Sequence, residues 1–192
     1  MPVQIGVTAH HFSNPTGLLS DCHRRIEMFL GSLEAVAKIM DQPLTEETAR
    51  ALATALRYFR EAAPKHNADE EESLFPRLRQ VQNPEVQSAL GKLKELEDDH
   101  RWSAPLHAEI DHLGGEYLSK GSLSTSEAEN FRRAVASLVF MYREHISVED
   151  HFVFPMAARV LSQADQASIA REMAARRNVA LATEAPDIRK QK

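Results

Sequence analysis

At 192 residues and a net charge of −5, the chain has room for one domain with a real core, and its mild acidity argues against nucleic acid as a main partner. Seven glycines against abundant Ala, Leu, Glu and Arg favour an all-α fold. The lone Cys22 excludes an intramolecular disulfide and fits a reducing compartment. No apolar segment follows a basic start as in a signal peptide, and no apolar run is long enough to span a membrane, so a cytoplasmic protein is expected.

Residues 1–13 carry His10 and His11 beside Phe12 without periodicity and are expected as an N-terminal arm lying on the domain. Asn14-Pro15 is a helix-start signal, and a first helix is predicted to about Met40 with the apolar seam Leu19, His23, Ile26, Leu30, Leu33, Ala37, Met40. Asp41-Gln42-Pro43 ends it. Thr45 caps a second helix, with Glu46 and Glu47 in its first turn, running to about Gln80 with a kink expected at Pro64. Its seam is Leu52, Leu56, Phe59, Ala63, His66, Glu70, Leu74.

Asn83-Pro84 opens a third helix, predicted to stop near Leu113 at Gly114-Gly115, with Pro105 a second kink candidate. Its seam is Ala89, Leu93, Leu96, His100, Ser103, His107, Ile110. A polar loop over Ser119–Ser124 follows. Ser124-x-x-Glu127 is a capping box for a fourth helix to about Val160, with seam Phe131, Val135, Leu138, Tyr142, His145, Glu149, Phe152. Ser162 starts a short fifth helix to about Asn178, and 179–192 is expected as a flexible tail. Short connections between long helices predict an antiparallel up-down-up-down four-helix bundle over 14–178, with the fifth helix appended.

One eleven-residue pattern occurs twice. His66, Glu70, Phe75 and Pro76 match His145, Glu149, Phe154 and Pro155 at identical offsets. Histidine and glutamate four residues apart share one helix face, here the buried one, and a buried carboxylate requires a partner. With His23 and His100 the four helices bring six donors inward: His23, His66, Glu70, His100, His145 and Glu149. Four nitrogens and two carboxylates exceed one tetrahedral zinc and suit two octahedral-preferring ions. Imidazole with carboxylate favours iron, with manganese or zinc as lesser options. Glu70 and Glu149 are natural bridges, and an oxo or hydroxo bridge would bring the charge near neutral. His23 with His66, and His100 with His145, are the expected pairs.

The alternative is a metal-free network of buried His–Glu pairs. Glu27, Glu97, His107 and Tyr142 stand near the donors and are left open. Glu71, Glu72 and Asp150 read as solvated charges, His112 and His151 as surface residues, and Phe59, Phe75, Phe152 and Phe154 as core that keeps the centre dry.

Through Asn14-Pro15 before the helix of His23, the doubled His-x-x-x-Glu-x-x-x-x-Phe-Pro element and His100, the chain resembles the hemerythrin-like HHE cation-binding domains over about 14–178. The resemblance implies a four-helix bundle around a non-haem di-iron centre binding dioxygen, peroxide or nitric oxide. Oxygen-carrying members have a further histidine where this chain has Ala104, and a His-x-x-x-x-Asp in the fourth helix where this chain has His-x-x-x-Glu. The set here is similar to that of di-iron proteins that repair iron–sulfur clusters and of bacterial relatives that respond to peroxide or nitric oxide. Sensing, stress protection and iron-centre repair are therefore the expected roles, with a small diatomic or peroxide ligand and an unidentified protein partner. An enzyme turning over peroxide or nitric oxide and a plain iron-binding module remain alternatives.

Overall fold

The computed structural model describes residues 10–181. Among these residues every regular element is helical. The elements are α1 (Pro15–Lys38), α2 (Glu46–Glu61), α3 (Ala63–Ala68), a π-helical stretch Asp69–Leu74, α4 (Phe75–Gln80), α5 (Pro84–Lys120), α6 (Thr125–Val148), a second π-helical stretch Glu149–Val153, α7 (Phe154–Val160) and α8 (Gln163–Arg176). They form four long runs, because α2 to α4 and α6 to α7 each follow one path. α1 packs on α2 and α6, α2 on α5, and α5 on α6, which closes a four-membered ring, while α8 lies against α1 and the first π-helical stretch.

The predicted starts are observed with their chemistry. The side chains of Asn14, Thr45, Asn83, Ser124 and Ser162 each accept a backbone N–H of the first turn, and Glu127 completes the capping box at Ser124. The second run breaks at Ala62, where Pro64 enters the first turn of α3, as expected of a proline that cannot donate to the helix ladder. His10 and the residues up to Asn14 lie on α1: the backbone N–H of His10 donates to Asp21 Oδ2 at 2.6 Å. The rest of the predicted arm, and the tail from residue 182, lie outside the described residues.

One predicted boundary is corrected. The third helix does not stop at Gly114-Gly115 but continues to Lys120, so Ser119 and Lys120 are helical rather than loop. The stop is Gly121, whose φ of 76° is the left-handed conformation that terminates helices. Gly114 serves space instead: a Cβ there would lie 2.9 Å from Leu56 Cδ1 of the buried α2 face. Nothing lies within 4 Å of a Cβ at Gly115. Gly115→Ala should therefore stabilise by about 0.5–1 kcal/mol through helix propensity. Gly114→Ala should destabilise by about 1 kcal/mol, because overpacking exceeds the same gain. Urea denaturation of the two variants checks the opposite signs.

Two apolar clusters fill the bundle. One holds Ile26, Leu30, Leu33, Leu52, Leu56, Phe59, Ile110, Phe131, Leu138 and Tyr142 among others; the second holds Leu19, Leu74, Phe75, Leu78, Leu93, Leu96, Val153, Phe154, Ile169 and Met173. Along each run the two clusters are separated by buried histidine or glutamate: His23 falls between Leu19 and Ile26, and His100 between Leu96 and Ile110. The bundle therefore has a polar layer between two dry ones.

Candidate metal centre

The polar layer consists of the six sequence-predicted donors. His23, His66, Glu70, His100, His145 and Glu149 are all buried and all turn inward. Their donor atoms form two groups within 4.8 Å: His23, His66, Glu70 and Glu149, and Glu70, His100 and His145. The pairing of histidines is the expected one. Glu70 belongs to both groups, with Oε1 at 3.2 Å from His66 Nε2 and Oε2 at 3.5 Å from His100 Nε2. Glu149 Oε2 lies 3.1 Å from His23 Nε2 and 3.2 Å from His145 Nε2.

The local backbone explains why an acidic side chain sits beside each inward one. In both copies of the repeated element the chain widens into a π-helical turn ending just before the Phe-Pro pair, and Phe75 and Phe154 donate to the carbonyls of Glu70 and Glu149, five residues back. Pro76 and Pro155 have no N–H to donate to the preceding turn, and their rings would strike the carbonyl four residues back; the wider turn relieves that clash. A π-turn rotates less per residue than an α-turn, so Glu71 and Asp150 stay close to the centre.

Those two residues are corrections: Asp150 is largely covered, and Glu71, though its side chain is 36% exposed, also pairs inward. Asp150 Oδ1 contacts His23 Nδ1 at 2.8 Å and accepts from Ser20 Oγ at 2.8 Å, with Arg24 on its other oxygen. Glu71 Oε1 contacts His100 Nδ1 at 2.7 Å. The same wide turn moves the seam, so Val153 is fully buried while the predicted Phe152 is half-buried. Asp99, which the sequence reading missed, contacts His145 Nδ1 at 3.2 Å. Three imidazoles thus have Nδ1 held by a carboxylate and Nε2 turned to the centre, the orientation that second-layer carboxylates impose on metal-binding histidines. The signal available in the sequence was an acidic residue directly beside each of His100, Glu70 and Glu149. His66 differs, since its Nδ1 has no hydrogen-bond partner among the described residues.

The open candidates separate cleanly. Glu27 is exposed and pairs with Arg24, and Glu97 pairs with Arg79 at 2.7 Å, so neither reaches the centre. His107 and Tyr142 bond to each other at 3.1 Å beside it. His151 and His112 are exposed, and the ring of Phe154 stacks on His23 at 5.2 Å.

Whether this layer fits metal can be tested on its unpaired atoms. Both oxygens of Glu70, both of Glu149, and His23 Nε2 are buried without a hydrogen-bond partner among the described residues. Leaving so many buried polar atoms unpaired is costly for a metal-free network. Their spacing suits cations: two donors about 2.1 Å from one ion at right angles lie about 3.0 Å apart. The closest donor pairs are 3.1 to 3.2 Å apart, including His100 Nε2 to His145 Nε2 at 3.1 Å.

The profile of the hemerythrin HHE cation-binding domain matches residues 14–157. The chain belongs to the hemerythrin HHE cation-binding family. The family match spans all six donors. The chain is also 25% identical over 171 residues, 88% of its length and 92% of the relative's, to an uncharacterised protein of Haemophilus influenzae. No described helix is long and apolar enough to cross a membrane.

Burial and mutual charge perturb the donors of the HHE centre. Burial, with Glu149 nearby, pushes the Glu70 carboxyl well above the usual carboxylate range. Burial opposes ionisation of Glu149 too, but His145 and His23 hold its carboxyl well below that range. Burial lowers the basicity of His145, yet Glu149 and Asp99 outweigh it and lift its imidazole to about 9. His66 is pushed well below the ordinary histidine range by burial and by His23. His145 must shed its proton to offer Nε2, and Glu70 must shed its own. Binding at about pH 7 should then release about one proton or more per chain and weaken as pH falls. Calorimetry in buffers of different ionisation enthalpy measures the release; uptake without proton release would contradict it.

Proposed function

We propose that the polar layer holds two iron ions and takes a small diatomic or peroxide ligand at positions the protein leaves free. The carrying observation is the set of buried, unpaired carboxylate oxygens and imidazole nitrogens spaced like neighbouring donors of one ion. Six protein donors are fewer than two octahedral ions require, even with both glutamates shared, and the remainder is room for an exogenous ligand. When bound, the irons would supply redox-active, Lewis-acidic positions for that ligand. The chain does the rest. Glu70 spans both halves, Asp150, Glu71 and Asp99 orient the imidazoles, and the two apolar clusters exclude water.

Sensing, stress protection or iron-centre repair in the cytoplasm are the roles this reading supports, with signalling requiring a partner chain for output. Elemental analysis of anaerobically purified protein, with optical spectra before and after air and after nitric oxide, tests it. The expected result is about two irons per chain with bands that respond to these ligands. Tightly held zinc indifferent to them would overturn the assignment. Sustained oxygen release from added peroxide would move it to an enzyme.

A further inference from the structure

One buried polar pair lies beside the centre but outside the donor set. Tyr142 is 2% exposed and sits one turn before His145 on α6, its ring edge-on to that imidazole with centroids 6.2 Å apart. Its hydroxyl oxygen is 3.1 Å from Nε2 of His107 on α5. Burial keeps the hydroxyl protonated well beyond the ordinary tyrosine range. Burial also lowers His107 to about 4, so its ring is neutral and carries a single N–H.

The ring tautomer of His107 decides which member of the pair donates. If the His107 proton sits on Nε2, that N–H donates to the Tyr142 oxygen and the tyrosine's own O–H is free to donate elsewhere. Tyr142 flanks the His100–His145 side of the centre through its edge-on contact with the His145 ring. A small anion taken there meets few other donors, because the Nδ1 atoms of His100 and His145 already face carboxylates. The tyrosine hydroxyl is a buried hydrogen-bond donor beside the centre.

Building on the di-iron reading above, we propose that Tyr142 donates a hydrogen bond to a small anionic or diatomic ligand held on the His100–His145 side, and that His107 positions its hydroxyl. His107 can be altered without opening a dense core. It lines a cavity of about 150 Å³ between α2 and α5 with Leu56, Phe59 and Asp111.

Azide is the probe, titrated into iron-loaded protein and followed by its absorbance, with iron content measured in parallel. Tyr142→Phe should keep the iron and weaken azide about tenfold, the effect of losing one hydrogen bond to a charged group. His107→Ala should weaken it similarly, and His107→Gln, whose amide can still donate, should restore most of the affinity. His107→Ala should add nothing in a chain already carrying Tyr142→Phe. Wild-type azide affinity in Tyr142→Phe, or an equal further loss from His107→Ala in that background, would overturn the proposal while leaving the di-iron reading intact. Loaded wild-type protein that ignores azide would also overturn it. A wild-type chain that takes up no iron would overturn both.

Discussion

Glu70→Leu is expected to move stability in opposite directions with and without metal. Glu70 is fully buried, both of its oxygens lack hydrogen-bond partners among the described residues, and burial keeps its carboxyl neutral. In chelated protein an apolar side chain of similar volume should serve better there. A gain of roughly 1–3 kcal/mol is expected, a rise in Tm of about 2–10 °C. With metal present the same change removes the one residue found in both donor groups. Loading of both ions should fall steeply, and the metal-dependent part of wild-type stability should vanish with it. Thermal unfolding of the two proteins, each with and without chelator, reads the reversal. A variant that keeps wild-type metal content, or melts below wild type in chelator, would contradict the assigned role of Glu70.

Asp69→Ala should produce the largest loss of stability outside the donors. Asp69 precedes Glu70 in the first π-helical stretch and is fully buried. Its two oxygens accept from Arg176 Nη1 at 3.0 Å and from Arg177 Nη2 at 2.6 Å, at the end of α8, and Arg176 also reaches Ser73 Oγ at 2.9 Å. Both guanidinium groups are largely covered, so removing their shared carboxylate leaves Arg177 without its carboxylate partner and Arg176 with only the exposed Glu72, at 2.9 Å. A loss of about 2–4 kcal/mol is expected, below the fully buried case because each arginine keeps some solvent, with Tm falling by about 5–15 °C. Replacing both arginines with Met should remove most of that loss, since the cost lies in the stranded charges and the three residues act as one unit. Urea denaturation of the variants and their combination measures it. Equal losses from Asp69→Ala with and without the arginines would show that packing alone is at stake. The contact also explains why the fifth helix is present: it ties the backbone that carries Glu70 to the rest of the bundle.

The parts legible in the sequence were those with a local cause. A helix start requires a side chain that can accept the first free N–H groups, and the Asn, Thr and Ser residues predicted as caps do so. A buried seam repeats every three or four residues, so His23, His66, His100 and His145 could be placed on inward faces before any contact was known. The errors came from carrying that regular period too far. Glu71 and Asp150 point outward on an ideal α-helix and become partners of His100 and His23 only because the turn widens ahead of Pro76 and Pro155. Gly114 and Gly121 look alike as letters. One answers to the nearness of Leu56 and the other to a left-handed backbone, and only the neighbours distinguish them.

The sequence by itself determined which residues face inward and that six of them are metal-ligand types, because side-chain direction in a helix follows from spacing alone. Tertiary structure decided what those six have around them. Asp99 on His145, the arginine pair on Asp69 and the His107–Tyr142 contact each join residues far apart in the chain or displaced by a π-turn. Such meetings depend on how the helices pack and on where a helix departs from its period, and no window of residues contains either.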